Sequence, residues 1–410
     1  LEAKKLVVSM IAVAAIAAGC SSTAASPTAA PVTQAPAANL TVNSFDPSFS
    51  AMNGLAAGVG GSGLVAVILP DVTTSARYTS YDLPYLKQAF AAAGYASTDY
   101  KIDNASGTTN TEVAIAQADI TAGAKVLLVD PLDSQTGQQI YALAKTAGIP
   151  MINYDRDVWT AGATNNYYVS FDNVQVGELI GKGFVQCVTD WSVASPKVFE
   201  LDGGQDTDPN AIDFAKGYND AIWGQKVQTV ADGATNPAGM TLVHEQLTPG
   251  WDNAKGQTIF QQAYTATPSI NATVEANDGL AGSVITVLKG AGVTAKKVPT
   301  VGQDATEAGM EFVLEGWQCG SVYKPIYLEA QDAVALATYL RAGQTPPAGL
   351  VNATDTNPTD STQVNPASKL TPTWVNLTNM ESTVIKDKFI DVTKLCAAVG
   401  ASVCTANNIQ

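Results

Sequence analysis

The sequence predicts an α/β fold of two Rossmann-like lobes, each built on a parallel sheet, and three observations predict it. From residue 64 onward, short and wholly apolar runs of strand length alternate with segments whose apolar residues recur at helical spacing. The series of such units is too long for one ordinary sheet, and 410 residues suffice for two domains with real cores. Polar residues follow the apolar runs with regularity, as they do where a ligand crevice lies beyond the carboxyl ends of parallel strands.

The first unit is the run 64–69, Leu-Val-Ala-Val-Ile-Leu, followed by a helical pattern over 84–93 that Gly94 stops. A helix over 111–122, a strand at 126–129, a helix over 135–147 and strands at 151–153 and 167–170 complete a first series. Helices between doubly buried strands imply right-handed crossovers and a sheet covered on both faces. The second series runs through helix 176–188, strand 197–201, helices 210–222 and 253–266, strand 270–275, helix 279–290 and strand 298–302. The polar residues after strands are Asp71, Asp130, Asp155 with Arg156, Asp202, Asn277 with Asp278, and Gln303 with Asp304. Each alone suits helix N-capping. Two facing lobes would gather them in one cleft.

Ahead of the fold, Lys4 and Lys5 precede an apolar run, 6–18, that is short for a membrane span and reads as an export signal over 1–20. It ends in Ala17-Ala18-Gly19-Cys20, which resembles the bacterial lipobox; the resemblance implies lipidation at Cys20 and attachment to the outer face of the cell membrane. Residues 21–60 read as a flexible Ala/Pro/Ser/Thr-rich tether, too poor in apolar area to offset its ordering entropy. The net charge of −15, without a Lys/Arg cluster, excludes nucleic acid as a partner. Cys187, Cys319, Cys396 and Cys404 allow three pairings in an oxidising compartment. The short spacing of Cys396 and Cys404 favours that pair and leaves Cys187 with Cys319.

Several motifs lead nowhere. Gly58-Val59-Gly60-Gly61-Ser62-Gly63 matches GxGxxG but precedes a strand instead of joining a strand to a helix, so it reads as linker. His244 is the one histidine, with no HExxH, no GxSxG and no CxxC, so neither a metal, a cofactor nor a nucleophilic triad is expected. Carboxylates at the expected cleft are interleaved with Arg156, Lys324 and Asn277, which suits hydrogen bonding to a neutral polyol better than glycosidase acid and base work.

Six blocks, in order between about residues 64 and 390, carry a resemblance: Tyr154-Asp155-Arg156; Tyr168-Val169-Ser170-Phe171-Asp172-Asn173 with Val176-Gly177-Glu178-Leu179; Ala276-Asn277-Asp278; Gly302-Gln303-Asp304-Ala305; Val322-Tyr323-Lys324-Pro325-Ile326; and Thr383-Val384-Ile385-Lys386-Asp387. They resemble the periplasmic D-xylose-binding proteins, which are type I sugar-binding proteins. The resemblance implies a type I periplasmic binding protein fold with a three-strand hinge. Its crossings fall near 170–173, near 322–325 and within 345–370, giving lobes of 60–170 plus 324–345 and 171–323 plus 370–410. It implies sugar contacts at Arg77, Tyr78, Asp155, Arg156, Asn210, Trp251, Asn277, Asp304 and Lys324. Tyr78 departs from the family, which places Trp beside the binding arginine. The function so implied is that of a non-catalytic, monomeric, exported receptor for a monosaccharide, with an ABC permease as partner. The alternatives are a sugar sensor signalling to a kinase or chemoreceptor, or a binder of glucose or another monosaccharide.

Overall fold

The computed structural model describes residues 39–72, 77–204 and 207–410, and within them the chain forms two α/β lobes. In the first lobe, α1 (Leu55–Val59) leads into β1 (Leu64–Leu69), α2 (Leu83–Ala93), β2 (Tyr100–Asn104), α3 (Thr109–Thr121), β3 (Ala124–Val129), α4 (Ser134–Ala147), β4 (Met151–Tyr154) and β5 (Asn166–Phe171). The chain then enters the second lobe through α5 (Asn173–Asp190), β6 (Lys197–Asp202), α6 (Pro209–Trp223), β7 (Thr241–Leu247), α7 (Asn253–Ala266), β8 (Ala272–Glu275), α8 (Asp278–Gly290), β9 (Gly302–Gln303), α9 (Glu307–Glu315) and β10 (Ser321–Tyr323). It returns to the first lobe for α10 (Ile326–Arg341), β11 (Ala353–Thr356) and β12 (Val364–Leu370), and ends in the second with β13 (Thr373–Val375), α11 (Val392–Val399) and α12 (Ala401–Ala406).

Seven strands make the first sheet, in the order β11-β12-β5-β4-β3-β1-β2, parallel except for β11. Its middle is apolar because both faces are covered: from Val65 to Leu69, β1 is wholly buried. The second lobe carries two three-stranded ladders, β7-β6-β8 and β13-β10-β9. The Thr273 amide, donating to the Pro299 carbonyl at 2.9 Å, links them. The chain passes between lobes at Asp172, at Lys324-Pro325 and just after Leu370. Disulfides join Cys187 to Cys319, 5.9 Å apart at Cα, and Cys396 to Cys404, 5.7 Å apart.

Two stretches correct the sequence reading. The tether expected to run to residue 60 gives way to packed chain by residue 40, where Leu40, Val42, Phe45, Phe49, Met52 and Leu55 are buried in the core. Gln331 Nε2 donates to the Asp46 carbonyl, and the Val42 amide to that of Gly349, so this segment is fastened as well as buried. Widely spaced apolar residues in a polar context carried no helical or strand period and so escaped notice. The stretch 345–370, expected as a connector, instead holds β11 and β12 of the first sheet. Cys20 and the export signal lie outside the described residues. Among the described residues, no helix is long and apolar enough to cross a membrane.

Candidate functional site

All nine residues named from the sequence line one cavity between the lobes, and Phe214 and Gln303 join them. Eight of the nine are buried, and the side chain of the ninth, Arg156, is 12% exposed.

The first lobe supplies the charged floor. A π-helical turn, Tyr78–Asp82, runs into α2 and presents Arg77 and Tyr78. Arg77 donates from Nε and Nη2 to Asp82 at 3.0 and 2.9 Å, from Nη1 to Asp155 Oδ1 at 2.6 Å, and from Nη2 to Glu329 of α10 at 3.0 Å. One guanidinium among three carboxyls cannot balance them all. Burial drives Glu329 up to about 8 despite Arg77, which favours its protonated form around neutral pH. Asp155 goes the other way: burial opposes its charge, but Arg77, Lys324 and Arg156 together hold it at about 2. It is the ionised acceptor of the site. Arg156 donates from Nη1 to Asp130 Oδ1 at 2.9 Å and from Nη2 to the Tyr78 hydroxyl at 2.8 Å, while its Nε finds no hydrogen-bond partner.

The second lobe supplies the lid. Asp208 caps α6 and sets Asn210 at its first turn, where Asn210 Nδ2 donates to the Asp155 carbonyl at 3.1 Å, a bond between lobes. Phe214 stands one turn further on the same face of α6. Trp251 lies edge-on to Phe214, with ring centroids 6.2 Å apart, and its Nε1 donates to Asp208 Oδ2 at 2.8 Å. Gly203 is obligatory beneath it, because a Cβ there would sit 1.9 Å from the indole ring. Asn277 caps α8 through Leu280 N, so its capping and cleft roles coincide. Lys324, on the second crossing, reaches Asp304 Oδ1 at 3.2 Å and Asp155 Oδ1 at 3.9 Å, joining one carboxylate from each lobe.

Three of these residues hold left-handed backbone: Asp155 at φ 62°, Trp251 at 57° and Asp304 at 94°. Such geometry costs of order 1–3 kcal/mol each and persists where surrounding structure enforces it, commonly at binding sites. Gln303 and Phe214 were missed as lining residues. Gln303 was noticed only as a residue following a strand, and Phe214 had a usable signal in its spacing of four from Asn210. The combination of fixed donors, acceptors and aromatic faces suits a small neutral polyol, whose hydroxyls need both, and the lobes must part to admit it, because the cavity between them has a volume of about 30 Å³.

The model of the periplasmic binding protein domain matches residues 65–345. A D-xylose-binding periplasmic protein of Escherichia coli is 33% identical over 289 residues, 70% of this chain and 80% of its own. A multiple sugar-binding periplasmic receptor of Rhizobium radiobacter is 29% identical over 342 residues, 81% of this chain and 92% of its own. Among solved structures, a carbohydrate transporter solute binding protein from Chloroflexus aurantiacus, in complex with D-glucose, shares the fold. Its TM-score is 0.68 at 23% identity, over 80% of this chain and 97% of its own. The lobes, their crossings and the family match over most of the chain agree, and the chain belongs to the periplasmic binding protein domain family.

Proposed function

We propose that this protein is the exported sugar-binding subunit of an ABC importer, that it closes its lobes on a monosaccharide without transforming it, and that the sugar is D-xylose. The observation that carries the reading is one buried cavity in which Arg77, Asp155 and Arg156 of the first lobe meet Asn210, Trp251, Asn277 and Asp304 of the second. A ligand touching both sets binds the closed arrangement better than an open one, which is what a receptor read by a permease requires. The relatives named for D-xylose and for multiple sugars support a monosaccharide. Lipidation at Cys20, the N-terminus left once the leader is cleaved, would hold the receptor at the membrane through the chain that follows it.

Pentose and hexose differ by one hydroxymethyl group. In a closed cavity that group needs its own hydrogen-bond partner or leaves a polar atom unpaired. Titration calorimetry is expected to give D-xylose a dissociation constant at least about tenfold below that of D-glucose, the equivalent of about 1.4 kcal/mol. Equal or tighter glucose binding removes the assignment to xylose. Binding of neither sugar removes the receptor reading.

A further inference from the structure

The block Tyr168-Val169-Ser170-Phe171-Asp172-Asn173 straddles the first crossing, and two of its side chains close a ring of hydrogen bonds between the lobes. From β5, the Tyr168 hydroxyl donates to the Asp155 carbonyl at 2.9 Å. From the start of α5, Asn173 Nδ2 donates to the Tyr168 hydroxyl oxygen at 3.0 Å and to Asn210 Oδ1 at 2.9 Å. Asn210 Nδ2 completes the ring on the same Asp155 carbonyl at 3.1 Å. All four residues are buried; Asp155 and Asn210 line the cavity, whereas Tyr168 and Asn173 lie outside its wall.

We propose that Tyr168 and Asn173 are positioning residues of the sugar site: they hold the Asn210 amide so that it meets the ligand as a donor, and so require an oxygen lone pair, of a hydroxyl or of the ring, at that point of the sugar. The inference rests on the reading of the cavity as a sugar site. Polarity runs round the ring from one atom. A carbonyl can only accept, so that of Asp155 takes the Tyr168 proton and one proton of Asn210 Nδ2, which fills both of its lone pairs. With its proton committed, the Tyr168 oxygen can only accept, and Asn173 must turn its Nδ2 that way. The same Nδ2 engages Asn210 Oδ1. What Asn210 has left is the second N–H of its Nδ2, which has no partner among the described residues and belongs to a side chain lining the cavity. An amide turned over would set Oδ1 against the Asp155 carbonyl, two acceptors face to face.

Calorimetry on the whole chain, with whichever of D-xylose and D-glucose the wild type binds more tightly, tests this in a double-mutant cycle. Asn173→Leu stays close to the side chain's size, removes the donor and frees the Asn210 amide to turn; affinity is expected to fall at least about tenfold. Asn210→Ala is expected to fall as far. Asn173→Leu added to it is expected to cost no more than about a further twofold, because no amide is left to orient. A residue that only supports the fold would cost the same in both backgrounds, and that outcome overturns the inference while the receptor stands, as does Asn173→Leu binding the sugar like wild type. Tyr168→Phe opens the ring at another corner with the packing kept and is expected to weaken binding several fold. It decides the question by the same cycle if Asn173→Leu does not fold. A wild type that binds neither sugar overturns the inference together with the reading on which it rests.

Discussion

Arg156 braces the first lobe's side of the site. It ties Asp130 to Tyr78, and its unpartnered Nε is a charge-assisted donor for a ligand hydroxyl. Arg156→Ala removes a hydrogen bond to a charged group worth about 1.5–3 kcal/mol, so the dissociation constant for xylose should rise by about ten- to a hundredfold in calorimetry. Burial already pushes Asp130 well above the usual carboxylate range, and Arg156 is the main force holding it down. Without Arg156, Asp130 goes higher still, and a raised carboxyl contributes stability that is lost as pH rises. The variant's melting temperature should therefore lie further below wild type at alkaline than at acid pH, and a pH-independent difference would refute this coupling. Tyr78→Phe is the milder companion: the ring stays, the acceptor for Arg156 Nη2 goes, and affinity should drop a few fold. Asp155, Arg156 and Asp304 were legible because ionisable residues directly after apolar runs are conspicuous, whereas Arg77 and Lys324 entered through the family resemblance. Gln303 and Phe214 were not, since an amide and a phenyl ring inside an α/β fold have many other uses.

At the scale of elements, the second lobe depends on how closely α5 lies against α6, because α6 carries Asn210 and Phe214 into the cavity. Gly177 of α5 faces the backbone of α6, and a Cβ there would come within 2.0 Å of the Phe214 carbonyl oxygen. A backbone neighbour cannot swing aside, so Gly177→Ala must push the helices apart at a cost of about 1–3 kcal/mol. That exceeds the roughly 0.5–1 kcal/mol gained by removing glycine from a helix. The expected result is a lower melting temperature together with weaker sugar binding. Gly290→Ala on α8 is the control: nothing lies within 4 Å of its added methyl, and it should be neutral or stabilising. A Gly177→Ala protein as stable as wild type would show that α5 and α6 can separate freely. Amphipathic helices and doubly buried strands such as α4 and β1 were readable because one side of their pattern contrasts with the other. The helix α10 was not, since nearly every residue from Ile326 to Arg341 is buried, including Glu329, Gln331 and Asp332, and no polar face marks it. The edge strand β2, whose residues are mostly half-buried, likewise lacks a clear period, and of the strand expected at 298–302 only the end forms, as the two-residue β9.

The whole molecule carries an unusual load of buried acid, and this sets its response to pH. Burial raises Glu112, Glu200, Glu275 and Glu329 to about 8 and Asp278 to about 7, against hydrogen bonds or cations that only partly offset it. Around neutral pH the four glutamates favour the protonated form in the folded protein and Asp278 is about half protonated, whereas all five are ionised in the unfolded chain, where their pKa lies near 4. The stability such a group contributes is fully present below its unfolded pKa and is lost as pH rises through 7 to 8. Asp155 has the opposite sign: held at about 2, it contributes stability above about 4 that disappears as pH falls toward 2. The net charge of −15 at pH 7 adds self-repulsion that also eases as pH falls toward the pI near 4.4. The melting temperature should therefore peak near pH 5 and decline toward pH 8. Salt separates the two causes, because surface repulsion is screened at high ionic strength and the titration of buried carboxyls is not. Glu275→Gln separates them again. Its carboxyl accepts from the Val301 amide at 2.9 Å and has no counter-cation among the groups acting on it, so the amide should preserve that bond and flatten the decline between pH 6 and 8. A melting temperature that climbs from pH 5 to pH 8 in high salt would mean that these carboxyls are ionised in the folded protein.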